Sequence, residues 1–158
     1  MLRRFARLVV TALALALLAG CGLTVPSDPE GTLDRVRGDV LRVGATHHEP
    51  WVVVTGDGDP TGDEPALLEE FAAELDAEIM WTVGNEESLV EALERGDLDV
   101  VVGGFTDTTP WSDRAAATVP YTEAPGSDGA PQKHVMLVHL GENRFLVALE
   151  TFLLERRR

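Results

Sequence analysis

The order of apolar and polar residues predicts alternating strands and helices from about residue 32 onwards. Three short apolar runs, each bounded by polar or turn-forming residues, have the length of buried strands. These runs are Leu41–Ala45, Ile79–Val83 and Leu98–Val102. The unbroken apolar character of the third run is typical of a central strand that is covered on both faces.

Two helical patterns separate the three runs. The first pattern repeats apolar side chains at helical spacing, at Leu67, Leu68, Phe71, Ala72 and Leu75. The second does so at Leu89, Val90 and Leu93, with Asn85 suited to begin the helix and Gly96 just past its end. Alternating strands and helices need crossover connections. The pattern therefore predicts an α/β fold with three layers, in which helices cover both faces of a mostly parallel sheet.

Two further elements close the chain. Val135–Leu140 is another apolar run, and a helix follows it. The apolar face of that helix comprises Phe145, Leu146, Leu149, Phe152 and Leu153. Arg156, Arg157 and Arg158 come at its carboxyl end, where positive charge is favourable.

The loops after the strands are the predicted binding region. In an open parallel sheet, ligands bind beyond the carboxyl ends of the strands. This rule selects His47–Trp51, Gly84–Glu86 and Gly103–Arg114. In the third loop two glycines let a ligand approach the backbone, and several side chains offer donors: Thr106, Thr108, Thr109, Ser112 and Arg114. This excess of hydrogen-bond donors predicts an anionic or carboxylate-bearing ligand.

The first 21 residues have a different pattern. Arginines at positions 3, 4 and 7 precede the apolar stretch Leu8–Leu18, which is too short to span a bilayer. Small residues then lead to Cys21, the only cysteine in the sequence. This pattern predicts a secretory signal peptide over residues 1–20. An uncleaved anchor with an incidental cysteine is the alternative.

Leu18–Cys21 resembles the lipobox of bacterial lipoproteins. The resemblance implies that Cys21 becomes the first mature residue and carries diacylglyceryl and N-acyl chains, palmitate among the acyl groups. Such an anchor keeps the protein stably bound to a membrane, because each methylene group buried in the bilayer contributes about 0.8 kcal/mol to the binding free energy. The expected location is the cell envelope, on the periplasmic or other extracytoplasmic face of a membrane.

Charge and composition limit the classes of partner that the protein is expected to bind. The net charge is −14, and it becomes −17 when the three arginines of the signal peptide are removed. An acidic surface argues against nucleic acid and anionic lipid as partners. One cysteine excludes an intramolecular disulfide, so a single domain with an ordinary core is expected over residues 32–158. Residues 21–31, rich in proline, glycine and polar side chains, predict a flexible tether.

A succession of segments resembles the family 3 extracellular solute-binding proteins of amino-acid ABC importers. The segments are Thr32–Thr46, Glu87–Thr106, Arg114 and Val119–Tyr121. Proteins of that family have two α/β lobes that close on a ligand. Here the second lobe is missing near residues 124–132, and Gln132–Asn143 resembles the segment that returns to the first lobe. The resemblance implies one lobe of a type II periplasmic-binding-protein-like fold.

The resemblance also implies ligand-binding roles. Arg114 matches the arginine that holds the α-carboxylate of the ligand. Gly104 and Thr106 match backbone positions that hold its ammonium and carboxylate groups, and Trp51 lies near the first-strand loop where the family often packs an aromatic on the ligand. The family has about five residues from the threonine to the arginine, whereas this chain has eight. The alternative for Arg114 is a surface ion pair with Asp113 or Asp107.

Three other groupings do not predict a site. Asp57–Asp63 begins like a calcium loop, but Leu68 stands where a bidentate glutamate belongs. His47 and His48 have no third metal ligand at a recognisable spacing. Ser112, Asp113 and His134 lack the local signature of a hydrolase nucleophile. We therefore expect no metal, no cofactor and no catalytic residue, and the protein is not expected to be an enzyme.

Three functions remain open from the sequence. The first is weak binding of a small amino acid or carboxylate, for ABC import, alone or with a permease or a second binding subunit. The second is an accessory or sensing module whose cleft has become a protein interface. The third is an enzyme like those relatives of the fold that dehydrate cyclic precursors of aromatic amino acids. That reaction would need catalytic acids facing the cleft from both lobes, and the missing second lobe argues against it.

Overall fold

The computed structural model describes residues 27–56, 58–126 and 129–157. The predicted signal peptide, Cys21 and most of the tether lie outside these ranges, as does Asp57. The helices are α1 (Thr32–Val36), α2 (Asp63–Glu74), α3 (Glu86–Glu94) and α4 (Asn143–Arg156). The strands are β1 (Val40–Ala45), β2 (Glu78–Val83), β3 (Val100–Val102), β4 (Ala116–Ala117), β5 (Thr122–Pro125), β6 (Pro131–His134) and β7 (Leu137–Val138).

Five strands form the main sheet in the order β2-β1-β3-β7-β4. The pairs β2–β1 and β1–β3 are parallel, whereas β7 is antiparallel to both β3 and β4. Strands β5 and β6 form a separate antiparallel hairpin. The predicted α/β class and the parallel arrangement of the first three strands are confirmed, and the antiparallel β7 makes the sheet mixed.

Helices cover both faces of the sheet. On one face α1, α2 and α4 enclose a core to which Val100 and Val102 contribute; on the other, α3 packs over Val101. All three valines are fully buried, as predicted for a central strand. Burying a side chain of this size contributes about 1.5–3 kcal/mol, so β3 is a principal source of stability.

Helix α3 begins as its sequence predicts. The side chain of Asn85 accepts a hydrogen bond from the Ser88 N–H at 2.9 Å, which satisfies one of the free donors of the first turn. Gly96 follows the helix with φ +73°, a conformation that favours glycine. These two residues fix where α3 starts and stops, and thus where β3 begins.

The predicted apolar run Val135–Leu140 does not form one strand. Its first part continues from β6, and only Leu137 and Val138 pair in the main sheet, as β7. Residues Val135 and Met136 connect the two strands and are buried on opposite faces of the sheet. The run is apolar because both faces are covered, although regular pairing is brief.

Residues 27–31 are bound to the domain. The Asp28 carboxylate accepts hydrogen bonds from Leu33 N–H at 3.0 Å and from Arg144 N–H at 2.7 Å. The buried Glu142 carboxylate accepts from the N–H groups of Glu30 and Thr32, each at 3.0 Å. Asp28 and Glu30, which lie in the predicted tether, are therefore hydrogen-bonded to the folded domain.

Candidate functional site

The predicted binding loops come together beyond the carboxyl ends of β1, β2 and β3. They enclose an open cavity of about 250 Å³. His48 comes from the first loop and Glu86 from the second, and the third loop supplies most of the wall. The lining residues are His48, Glu86, Gly103, Gly104, Phe105, Thr106, Thr108, Thr109, Pro110 and Gln132. We call this cavity the cleft.

The glycine pair at the base of the cleft is required by close packing. A Cβ atom on Gly103 would lie 2.1 Å from the Thr46 side chain, and one on Gly104 would lie 2.6 Å from Cδ1 of Trp51. Gly104 also has φ +67°, which side chains other than glycine rarely adopt. The backbone here can therefore lie against its neighbours only because both residues lack a side chain.

Both glycine N–H groups donate to one carboxylate, that of Glu64. Oε2 of Glu64 accepts from Gly103 N–H at 2.8 Å and from Gly104 N–H at 3.0 Å. Oε1 accepts from the Tyr121 hydroxyl at 2.6 Å. Glu64 lies in the first turn of α2 and is completely buried. Its three hydrogen bonds connect α2, the end of β3 and the segment before β5, and they hold the base of the cleft in one conformation.

Burial raises the pKa of Glu64 from 4.5 to about 7, even though the hydrogen bonds from Tyr121, Gly104 and Gly103 oppose the shift. Burial and the adjacent Glu64 carboxylate raise the pKa of Tyr121, which keeps its hydroxyl protonated as a donor. Sequence reasoning missed Glu64. A single acid beside Asp63 at a helix start resembles an exposed first-turn residue, and its donors lie 39 to 57 residues away.

Trp51 stands behind Gly104. Its ring stacks on His134, with centroids 3.9 Å apart, and meets Tyr121 edge to face at 6.3 Å. Trp51 lines a second cavity rather than the cleft. A direct contact between Trp51 and a ligand stays a prediction. In the structure, the indole supports the glycine backbone at the base of the cleft.

His134 is buried, and burial lowers its pKa, so that its imidazole is neutral at pH 7. Among the described residues, nothing forms a hydrogen bond with its Nδ1. Ser112 and Asp113, the residues considered with it as a hydrolase grouping, are exposed. The structure places His134 as an aromatic packing partner of Trp51.

Thr106 lies on the wall of the cleft, and its contact with a ligand stays a prediction. Its hydroxyl is 3.0 Å from that of Thr108, and its carbonyl accepts from Thr109 N–H at 2.9 Å. The neighbouring Asp107 N–H donates to the Lys133 carbonyl of β6 at 2.9 Å. This turn is thereby fixed to the β5–β6 hairpin, and it presents hydroxyl groups toward the cavity.

Arg114 is not among the residues that line the cleft. Its guanidinium forms an ion pair with Glu94, with Nε 2.9 Å from Oε2, and lies 5.6 Å from the centre of the Trp111 ring. Glu94 ends α3, whereas the cleft residue Glu86 begins it, and these helix ends are about 12 Å apart at 1.5 Å per residue. The surface ion pair considered from the sequence does form, but with Glu94 instead of Asp113 or Asp107. Contact between Arg114 and a ligand carboxylate stays a prediction.

The cleft has an acidic rim. Its lining contains Glu86 and no lysine or arginine. Oε2 of Glu86 accepts from the Trp111 indole N–H at 3.1 Å, which fixes the carboxylate at the opening. Elsewhere in the described ranges, seven of the eight arginines form ion pairs with acids, at positions 35, 37, 42, 95, 114, 144 and 156. The field in the cleft therefore favours cationic groups.

The histidine pair after β1 has separate roles. Nδ1 of His47 accepts a hydrogen bond from Val54 N–H at 3.0 Å and closes a turn, whereas His48 lines the cleft. Within the described ranges, no three His, Cys, Asp or Glu side chains are grouped so that they could hold a metal ion. No helix in that part of the chain has the length and apolarity needed to cross a membrane.

Comparison with known families gives one match over most of the chain. The family described as bacterial extracellular solute-binding proteins, family 3, matches residues 41–155. Two curated relatives are called membrane-bound lytic murein transglycosylase F. The one from Shewanella woodyi is 32% identical over 103 residues, and the one from Photobacterium profundum is 34% identical over 108. The matches cover 65% and 67% of this chain, but the chain spans only about a fifth of those relatives, 21% and 20%.

Solved structures with the same fold include single domains of a binding protein. The arginine-bound form of domain 1 from TmArgBP, a T. maritima protein, has a TM-score of 0.66 at 23% identity, covering 82% of this chain and 99% of that one. A point mutant of the same domain, also arginine-bound, has a TM-score of 0.68 at 25% identity, covering 78% and 97%. An ancestral amino-acid-binding protein, described as a precursor of cyclohexadienyl dehydratase, has a TM-score of 0.68 at 16% identity, covering 78% and 92%. The chain thus has the architecture of one lobe.

Proposed function

Since the chain belongs to the family 3 bacterial extracellular solute-binding proteins, we propose that it binds a small amino acid in the cleft beyond β1, β2 and β3. The observation that carries this proposal is the cleft itself. Loops from three strands meet there, the glycine backbone is fixed by Glu64, and threonine hydroxyls line the wall. A site that is already organised loses little entropy when a ligand binds.

We propose that a single lobe is enough to bind the amino acid. Domain 1 of TmArgBP is described in an arginine-bound form, and this chain spans nearly all of that domain. With one wall, much of the ligand remains in contact with water. Exposed ion pairs contribute only about 0.2–1 kcal/mol each, so we expect dissociation constants on the order of high micromolar to millimolar.

The charge of the cleft favours a basic amino acid over an acidic one. Glu86 is the charged residue on the wall beside His48, and the wall has no cationic side chain. This changes the expectation from the sequence, where an excess of donors favoured a carboxylate-bearing guest. In the structure the guanidinium of Arg114 is occupied by Glu94. The ligand's α-carboxylate would then be held by the threonine hydroxyls, and its cationic side chain would lie near Glu86.

Cys21 and the residues before it complete the proposed role. A lipid anchor at Cys21 would hold the lobe at the extracytoplasmic face of a membrane, as the family's extracellular description leads one to expect. There the lobe would present an amino acid to an ABC permease or to a second binding subunit. We propose binding and presentation of the ligand, with no catalytic step.

An NMR titration of the ¹⁵N-labelled full chain, in mild detergent, tests this proposal. Arginine should cause saturable shifts in the amides of Gly103–Thr109, and glutamate should cause much weaker ones. Glu86→Gln should weaken arginine binding by about 1.5- to 5-fold, the loss of one exposed ion pair. Glu87→Gln, one residue further along the same exposed helix start, is the matched control. The absence of saturable shifts in the amides of Gly103–Thr109 with any amino acid would refute the proposal.

A sensing module is the second candidate, and one observation favours it. The murein transglycosylase F relatives carry the matching segment as about a fifth of a longer protein. In such an arrangement a lobe serves another domain rather than a permease. On this alternative the cleft binds a protein surface, so that free amino acids leave the cleft amides unshifted. A dehydratase of the kind considered from the sequence would need an acid facing the cleft from a second lobe as well as from this one.

A further inference from the structure

A second cavity, which Trp51 helps to line, is separate from the cleft. It measures about 370 Å³, within the range of about 300–1,000 Å³ that is typical of small-molecule sites. Its lining comes from α2, the end of α4 and the start of β5, and shares no residue with the cleft. The lining residues are Trp51, Asp63, Ala66, Leu67, Glu70, Tyr121, Thr122, Leu153, Arg156 and Arg157. We call it the α2–α4 cavity.

The floor of the α2–α4 cavity is apolar and rigid. Leu153 and Tyr121 are buried, and Leu67 packs against the main core. Trp51 is held in place by its contacts with His134 and Tyr121. An aliphatic or aromatic group of a ligand could replace water over this floor, and that replacement favours binding by about 25 cal/mol for each Å² of apolar surface buried.

The rim carries opposite charges, and two of these are unpaired. Arg156 is occupied, because its guanidinium pairs with Glu70 and Glu74, each at 2.7 Å, and covers the Phe152 ring at 3.7 Å. In contrast, neither Asp63 nor Arg157 forms an ion pair with any residue that the structure describes. One free carboxylate and one free guanidinium thus border the same apolar floor without neutralising each other.

We propose that the α2–α4 cavity is a second binding site, for a small zwitterion with an apolar side chain, that is, an apolar amino acid or a short apolar peptide. The ligand's ammonium group pairs with Asp63, its carboxylate pairs with Arg157, and its side chain packs on Leu67, Leu153 and Trp51. An uncharged analogue forfeits both ion pairs, and an arginine side chain has only its methylene stem to place on the floor, with a charged guanidinium at its end. The site is therefore distinct in specificity from the cleft.

The test uses leucine and leucyl-leucine as probes in an NMR titration of the ¹⁵N-labelled full chain. We expect saturable shifts in the amides of Ala66, Leu67 and Thr122 while those of Thr106 and Thr108 stay unchanged. N-acetyl-leucinamide, which lacks both charges, should bind several-fold more weakly than leucine. The proposal is overturned if neither probe shifts the cavity amides, or if the capped analogue binds as tightly as leucine.

Variants test the site independently of the cleft. Ala66→Phe places a ring into the cavity from an exposed position on α2 and should abolish the leucine response, without affecting arginine shifts in the cleft. Asp63→Asn and Arg157→Gln should each weaken leucine by about 1.5- to 5-fold. Arg37→Gln, an exposed arginine outside the lining, is the control and should change nothing. Leucine binding that survives Ala66→Phe, in a chain with an otherwise unchanged spectrum, contradicts the assignment.

Discussion

Glu64→Gln is the substitution that tests the base of the cleft most sharply. The glutamine side chain would keep an oxygen for the two glycine N–H groups and would place an uncharged amide beside the Tyr121 hydroxyl. The substitution therefore removes the buried charge while it retains the shape and the main hydrogen bonds. Its effect on stability should depend on pH, because Glu64 titrates differently in the folded and unfolded chains.

The magnitude follows from the pKa of Glu64. This pKa is about 7 in the folded chain, against 4.5 for an ordinary glutamate. Between these values the folded state binds more protons than the unfolded state, so stability falls as pH rises. Each unit of pKa difference corresponds to about 1.4 kcal/mol. The wild-type chain should therefore lose about 3 kcal/mol through Glu64 between about pH 4.5 and pH 7, and Glu64→Gln should not.

Urea unfolding at several pH values between 4.5 and 8 measures this difference. The gap between Glu64→Gln and wild type should shift by about 3 kcal/mol in favour of the variant over that window, a change of about 1 M or more in relative midpoint. Glu69→Gln, an exposed position on the same helix, should follow the wild-type curve. Repulsion among the other acidic residues changes stability with pH in all three proteins alike, so the comparison between them cancels that contribution. Parallel curves for Glu64→Gln and wild type would refute the reasoning.

Three further substitutions test close packing and buried charge. Gly104→Ala should destabilise the chain by about 1–3 kcal/mol, because the new methyl group would lie 2.6 Å from Trp51 at positive φ; Gly58→Ala, which meets no close atom, is its control. Asp99→Ala should cost about 3 kcal/mol, since its buried carboxylate holds Arg35 and Arg42. Asp28→Ala should cost about 1–2 kcal/mol, because Asp28 accepts from the first N–H groups of α4.

Urea midpoints measured at one pH check all three. Equal stability of the Gly104→Ala and Gly58→Ala variants would mean that the backbone at the cleft base is not tightly packed. For Asp99 the comparison is Asp97→Asn, which removes an exposed ion pair and should cost no more than about 1 kcal/mol. A similar cost for the two substitutions would show that Asp99 is not a buried anchor. An unchanged midpoint in Asp28→Ala would show that residues 27–31 are not part of the folded unit.

The main sheet could be predicted from the sequence because a strand that is buried on both faces has an unbroken run of apolar residues. Val100–Val102 is apolar without a break, and the helices around it repeat apolar residues at their own spacing. Strands β4 and β7 have two residues each, and β5 and β6 have four, with mostly exposed or half-buried side chains except at β7. Such short pairings depend on distant partners and show no period in the sequence.

The candidate site, like the fold, could be predicted only in part. The three loops that form the cleft follow from strand order alone, and Gly104 and Thr106 belong to the third of them. The roles of Glu64 and Arg114 depend on partners far along the chain. Glu64 is satisfied by donors from Gly103, Gly104 and Tyr121, and Arg114 pairs with Glu94, 20 residues before it. No local pattern records which distant side chain a buried or half-buried charge will meet.

The central claim is that one lobe binds an amino acid in the cleft beyond β1, β2 and β3. Intermolecular NOEs between arginine and the isotope-labelled full chain measure this contact directly. The account predicts NOEs from arginine to the side chains of Thr106 and Thr108. It also predicts NOEs between the δ-methylene protons of arginine and the side chain of Glu86. Saturable binding with NOEs only to residues outside the cleft lining, or no NOE at arginine concentrations in the millimolar range, would contradict it.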